Sequence, residues 1–345
     1  MIMQHWPLWD KLDAFDGAEQ EYRTGEWRGK RALYLNMDGK PIMHQQELPC
    51  DCFRIKAEVA IPEQVGFIGL VFGGMDKDNY ELIYLAPEEI QYDPIMNGSM
   101  TWQIYNGSAY QHPLSLPSGE WVELAVEVHG RTAAVYLNDE SEPRLVIHNL
   151  QHGGAGRRVG VWSYLPAYVR NLSVHELPVS STESDASEAS HTASSLTSGT
   201  VDANNASFIA NWQVSCPFPA GTEPMDTQLE WHSAVIEENG TLNLNRLFRA
   251  TPGSAIRVAA ELVVDSSGEY GASFGYSDHL RLWINGEEVY TGKWLWNPPV
   301  SDGRIRPDHA AVVLQLQEGR HEIRAEITNY ESFGWGLSMQ ATRRL

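Results

Sequence analysis

Short apolar and aromatic runs alternate with polar residues at a period of two along most of the chain, and Gly, Pro, Asn and Asp punctuate them. Before residue 177 the runs are "FRIKAEVAI", "GFIGLVFGG", "NYELIYLA", "TWQIY", "WVELAVEVHG", "TAAVYLN", "RLVIHNL" and "RVGVWSY". A period of two sends alternate side chains to opposite faces of a strand. In the first run Phe53, Ile55, Ala57 and Val59 share one face, and Arg54, Lys56 and Glu58 share the other. In "WVELAVEV", Val122, Leu124, Val126 and Val128 point inward and leave Glu123 and Glu127 outside. Strands this short at this spacing predict an antiparallel β-sandwich or jelly roll.

A second set follows residue 207: "SFIANWQVS", "TLNLNRLF", "AIRVAAELVVDS", "GEYGASFGYS", "HLRLWINGEEVYTG", "AAVVLQLQEGRHEIRAEITNY" and "GWGLSMQAT". Asn285-Gly286 between "LRLWI" and "EEVY" supplies the positive φ values of a two-residue type I′ hairpin. Glu318-Gly319 predicts a turn between "VVLQLQ" and "HEIRAEI" in the same way. No long segment carries a helical period, so the expected fold is all-β, with two antiparallel β-sandwich domains.

Between the two sets, "LPVSSTESDASEASHTASSLTSGTVDANNAS" is almost free of large apolar residues and cannot bury enough surface to offset its ordering entropy. A flexible linker is expected over 178–206, between domains at 1–177 and 207–345. The length of 345 residues fits two domains of roughly 100–200 residues.

Composition narrows the partners. The formal charge of −20 repels phosphate backbones and anionic membranes, so nucleic acid is not expected, whereas neutral ligands, cations and a protein partner remain. No run reaches the roughly 18 apolar residues of a membrane span. "MIMQHWPLWDKLDAF" lacks a basic start, an apolar core and a small-residue cleavage site. The expected compartment is cytoplasmic, with another export route or a missing start as the alternatives.

Chemistry-bearing patterns are sparse. Of the three cysteines, Cys50 and Cys52 form a Cys-x-Cys pair and Cys216 lies far away. No His stands at ligand spacing beside the pair, so reduced thiols are expected rather than a metal site. Glu123 with Glu127, and Glu322 with Glu326, share strand faces but lack the Glu-x-Asp-x-x-Glu spacing of retaining glucanases, so both pairs read as solvated outer faces. Ser163 lacks a nucleophile elbow. His129, His148 and His152 read as surface or edge residues. "GGAGRR" precedes a strand, not the helix N-terminus that binds anions. Asn97, Asn106, Asn171, Asn205 and Asn239 begin Asn-x-Ser/Thr triplets that read as turns.

The order of features over residues 12–176 resembles a concanavalin A-like lectin/glucanase jelly roll, in the group of 3-keto-disaccharide hydrolases and laminin-G-like modules. The resemblance rests on "GFIGLVFGGMDKDNYELIYL", "YNGSAY", "SGEWVELAVEVHGRTAAVYLN" and "GRRVGVWSYLPAYVRNLSV". The second domain resembles galactose-binding-like and protective-antigen-type sandwiches through "WQVSCPFP", "YSDHLRLWINGEEVYTG" and "QLQEGRHEIRAEITNYESFGWGLSMQ". That pattern carries acids that help hold calcium or a sugar hydroxyl. Ser277 and Asp278 match it, but His279 replaces the second acid and no glycine follows, which tells against calcium. Otherwise no metal or cofactor is expected.

These resemblances imply carbohydrate recognition without turnover. Sugars need flat apolar faces for their C–H surfaces and planar polar groups for their hydroxyls. Candidate ligand contacts are Tyr80, Glu81, Tyr92, Asp93, Asn97, Trp102, Gln103 and Tyr105 in the first domain, and Asp278, His279, Trp294, Trp296 and Asn297 in the second. The enzyme alternative is glycoside cleavage by the first domain with Glu81 or Asp93 as general acid/base. An acidic protein–protein scaffold is the third reading.

Overall fold

A computed structural model of the protein describes residues 3–10, 12–16, 22–178 and 207–344. The expected linker lies, from residue 179 on, outside the described residues. By proximity the chain forms two compact units, one of Met1–Gly98 with Tyr105–Thr182 and one of Ser99–Ile104 with Glu183–Leu345. Strands dominate both, and the only helical turns among the described residues are 3-10 turns at Asp226–Gln228 and Leu244–Arg246. No described helix is long and apolar enough to cross a membrane.

In the first unit, alternation produces the expected strands. Cys52–Ala60 and Val122–His129 pair antiparallel, with Ile55 opposite Val126 and Arg54 opposite Glu127. Ile55, Leu124 and Val126 are fully buried. On the outer face Arg54 meets Glu127 and Lys56 meets Glu123, each at 2.8 Å. Partly exposed cross-strand pairs of this kind contribute about 0.2–1 kcal/mol each, so the ion pairs fix register more than they stabilise.

The layers are joined by one long strand, Arg158–Glu176. Its first part pairs with Phe67–Asp76 and its second with Cys52–Ala60, and its pairing with Lys30–His44 shifts register between Trp162 and Tyr164. Lys30–His44 follows the same bend beside it. Asn79–Leu85, Glu89–Tyr92 and Gln111–Pro113 extend the first layer, while Thr132–Leu137 and Leu145–Ile147 extend the second. The "TWQIY" run is not a strand: residues 102–104 form a turn, closed by Ile104 N–H on the Thr101 carbonyl at 2.8 Å.

The second unit has a six-strand order of Trp231–Val235, Asn211–Ser215, Ser254–Val264, Gly319–Asn329, Asp278–Ile284 and Glu287–Trp294. A second sheet orders Ser207–Phe208, Gly336–Arg343, Gly268–Tyr276 and Ala310–Leu316. Ile256, Phe274, Tyr276, Leu280, Leu282, Ile323, Ile327 and Trp335 build the core and are fully buried. Asn285 and Gly286 take φ of 51° and 82°, as the type I′ hairpin requires. Glu318-Gly319 behaves differently, because Ala310–Leu316 and Gly319–Asn329 pair in different sheets. The local signal located the turn, but partners far away in sequence decided that it is a crossover.

Candidate functional site

The first-unit candidates sit inside the sandwich. Register places Glu81 opposite Phe72, and Tyr92 opposite Ile83. Glu81 lines a 280 Å³ cavity with Phe53, Phe72 and Val128, so its side chain points between the layers. It is 1% exposed, and both carboxylate oxygens have partners. The Tyr92 hydroxyl donates to Oε2 at 2.6 Å and His152 N–H to Oε1 at 2.7 Å. Gln151 N–H donates in turn to the Tyr92 hydroxyl at 2.9 Å. Burial, and then the Glu81 carboxylate, hold the Tyr92 phenol protonated well above its usual range.

Tyr105 packs edge-on to Tyr92 and Tyr110, with centroids 5.9 and 5.3 Å away, and is fully buried. Tyr80 is buried and exchanges backbone bonds with Ile95. Asp93 is buried, and its N–H donates to the Leu82 carbonyl at 2.9 Å. Asn97 occupies a left-handed turn position at φ 49°, its N–H on Asn79 Oδ1. Apart from Asn97, which is half-buried, these are buried polar and aromatic side chains.

Trp102 and Gln103 fall in the second unit, with Asp278. Gln103 is fully buried and its Nε2 donates to Asp278 Oδ1 at 3.3 Å. Gly334 makes room for it, since a Cβ there would lie 2.9 Å from Gln103 Cβ and would carry a φ of 152°. Trp102 packs on Phe333 at 5.7 Å and lies under the Arg304 guanidinium at 5.4 Å.

Asp278 is the organising residue of this end of the unit. It opens the strand Asp278–Ile284 with a left-handed φ of 56° and is fully buried. Its Oδ2 accepts the Tyr330 N–H and, at 2.9 Å, the Glu331 N–H. Burial raises its carboxyl above the ordinary 3.8, against the lowering effect of those two amides and of Gln103. The loop it holds presents Tyr330, 41% exposed, beside Glu331.

Glu331 takes the Trp296 N–H on Oε2 at 3.0 Å. Burial, with the Asp278 charge adding, raises the Glu331 carboxyl above 4.5, and the Trp296 amide pulls the other way. Trp296 itself is 52% exposed, in the short pair Trp296–Asn297 with Ser301–Asp302, and Asn297 is exposed beside it. His279 stacks on Tyr330 at 6.4 Å and Lys293 lies over the same ring at 5.3 Å. Burial, then the Lys293 and Arg281 charges, lower the His279 pKa below 6.5, so the ring is neutral at pH 7. Trp294 differs from Trp296: its Nε1 donates to the Arg304 carbonyl and its ring packs on His309 at 3.9 Å, so it supports the rim from beneath.

The arrangement thus offers one exposed aromatic residue, Trp296, beside a carboxylate, and a partly exposed Tyr330 whose ring carries the imidazole of His279 and the ammonium of Lys293. Sequence reasoning missed Tyr330, Glu331 and Lys293, because only the Asp278 contacts bring the 330–331 loop here. It also missed a charged groove of 420 Å³ on the outer face of the seven-stranded sheet, lined by Trp231, Trp283, Arg257, Arg281 and Arg324. There Glu326, expected on a solvated face, is 8% exposed and accepts from Arg257 at 3.2 Å, while Glu322 meets Arg324 at 2.9 Å. Those guanidinium groups are neutralised within the protein, which leaves the groove weaker in ligand-directed polar groups than the Trp296 rim.

No family model matches the chain, and no curated protein matches it. Among solved structures it is similar to a carbohydrate-binding module from Bacillus subtilis, at 16% identity over 42% of this chain and 86% of that one, with a TM-score of 0.35. It is also similar to sheep galectin-11 in complex with glycerol, at 14% identity over 40% and 97%, TM-score 0.29. A Bacillus subtilis protein of unknown function with a galectin-like fold aligns at 12% identity over 50% and 94%, TM-score 0.34. At these scores the likenesses carry no weight for the chemistry of the site.

Proposed function

We propose that the protein is a carbohydrate-binding, lectin-like protein that holds a saccharide on the Trp296 rim of its second unit without turning it over. The observation that carries this reading is the exposed Trp296 ring, whose own backbone amide is fixed by the half-buried Glu331 carboxylate. An indole face accepts the apolar side of a pyranose, and a carboxylate, an amide and a phenol on either side accept or donate to its hydroxyls. Asp278 keeps the loop in place before any ligand arrives, which lowers the ordering cost of binding.

In this reading the first unit is a concanavalin A-like jelly roll and the second a galactose-binding-like sandwich. Glycoside cleavage by Glu81 or Asp93 is the less favoured reading, because a general acid must reach the substrate and both carboxyls are buried. A glycan array run with parallel product analysis tests the proposal. Retention of a glycan by the intact protein, reduced about tenfold or more in Trp296→Ala, is the expected result. Released reducing ends or keto-sugars would overturn the binding-only reading, and unchanged retention by Trp296→Ala would remove the rim.

A further inference from the structure

We propose that Cys216, Glu230 and His232 form a site for a zinc-class divalent cation. Strand pairing creates it. Ser215 lies opposite Trp231 and Val214 opposite His232, and the Cys216 N–H donates to the Glu230 carbonyl at 2.8 Å. Cys216 therefore stands directly across from Glu230 and diagonal to His232, with Glu230 and His232 on one strand face.

Three ligand atoms, one from each residue, lie within 4.8 Å of one another. Cys216 Sγ lies 3.4 Å from His232 Nε2 and 3.9 Å from a Glu230 carboxylate oxygen. His232 Nε2 lies 4.0 Å from the other oxygen of Glu230. Tetrahedral zinc with bonds of about 2.3 Å to sulfur and about 2.0–2.1 Å to nitrogen and oxygen sets those edges at about 3.6, 3.5 and 3.3 Å. The 3.9 and 4.0 Å approaches are to different oxygens of Glu230, so closing the set requires that side chain, which is 76% exposed, to turn inward until one oxygen faces both Sγ and Nε2.

The imidazole is held from the other side by Phe248, edge-on at 5.6 Å, and Phe248 packs against the core. Thiolate, imidazole and carboxylate together suit a borderline-soft ion such as zinc better than calcium or magnesium, which take oxygen ligands. Three protein ligands leave a fourth position for water or a partner's side chain.

The site has a structural consequence. Trp231–Val235 ends the sheet order and is paired only with Asn211–Ser215 among the described residues. A cation bridging Cys216 to Glu230 and His232 would clamp that edge strand and close the loop between them.

Cobalt(II) titration of the full chain tests the proposal, because sulfur-to-cobalt charge transfer in the near ultraviolet appears only when a thiolate is bound. The expected result is one equivalent bound with that band, displaced by zinc, and a rise in the thermal midpoint. Cys216→Ser and His232→Ala should each abolish the band, while the Cys50→Ser/Cys52→Ser double variant should retain it. Glu230→Gln, at an exposed position that folding tolerates, should weaken binding without abolishing it. No charge-transfer band in the wild-type protein would overturn the site. So would a band lost in the Cys50→Ser/Cys52→Ser variant and kept in Cys216→Ser.

Discussion

Asp278 shows how one residue can be required for a site that it never lends to a ligand. Its carboxylate is spent on two backbone amides and the Gln103 side chain, and what reaches the surface is the loop it holds. Its titration has a definite sign. The folded pKa is raised above the unfolded 3.8, so the native state binds more protons and the associated stability is fully present below pH 3.8. It is lost as pH rises through the folded pKa. Glu331, raised above 4.5, acts in the same direction. Urea denaturation of wild type against Asp278→Asn should therefore show the variant gaining on the wild type as pH climbs through this window. A constant difference across it would mean that the carboxyl titrates as it does in the unfolded chain.

Asp278 was visible in the sequence through the "YSDHLRLWING" pattern, and Trp296 through its place in a loop. Glu81 was visible too, but its surroundings were not. Alternation gave two faces for "NYELIYL" without deciding which one meets the other layer, and that is settled by Phe72, Phe53 and Val128 from separate strands.

At the scale of elements, Glu81 and Tyr92 tie a loop to two strands. Removing the carboxylate in Glu81→Ala leaves the Tyr92 hydroxyl and the His152 amide without it, at about 1–3 kcal/mol each. Tyr92→Phe removes two bonds, the one to Glu81 and the one from the Gln151 amide, and should cost about 1–3 kcal/mol for each. Chemical denaturation measures both, and glycan retention at the Trp296 rim should persist in Tyr92→Phe. Abolished retention with full stability would instead give this network a direct role in recognition.

Element by element, what the sequence disclosed follows the range of the interaction responsible. The Asn285-Gly286 hairpin was legible because its geometry is set within two residues. Cys52–Ala60 was legible because one face is solvated and the pattern is clean. Lys30–His44 was missed because Asn36, Asp38, Gly39 and Pro41 interrupt the pattern where the strand bends beside Arg158–Glu176. "TWQIY" read as a strand from its apolar and aromatic content, yet its carbonyls and amides bond to Phe333 and Ile305 instead of to a neighbouring ladder. The Cys216 cluster was hidden for the same reason, because only the pairing of Asn211–Ser215 with Trp231–Val235 brings His232 to the thiol.

At the scale of the whole molecule, the chain order and the grouping of residues differ. The second unit includes Ser99–Ile104, of which Thr101 and Gln103 are fully buried. The Ser99 hydroxyl accepts the Ala250 N–H at 2.8 Å, and the Gln103 carbonyl accepts the Ile305 N–H at 2.8 Å. A fragment of residues 207–345, cut where the sequence suggests, would keep every strand of its sheets and lose these bonds. Its unfolding midpoint in urea should fall below that of the same transition in the full chain. Equal midpoints would show that the segment adds nothing to stability.

The same feature bears on heredity. A unit completed by six residues encoded far upstream cannot travel as a cassette, because a recombination point in the Ser-rich stretch would separate Gln103 from Asp278. Successful exchange would have to carry both coding segments together, or re-invent an amide donor for a buried acid.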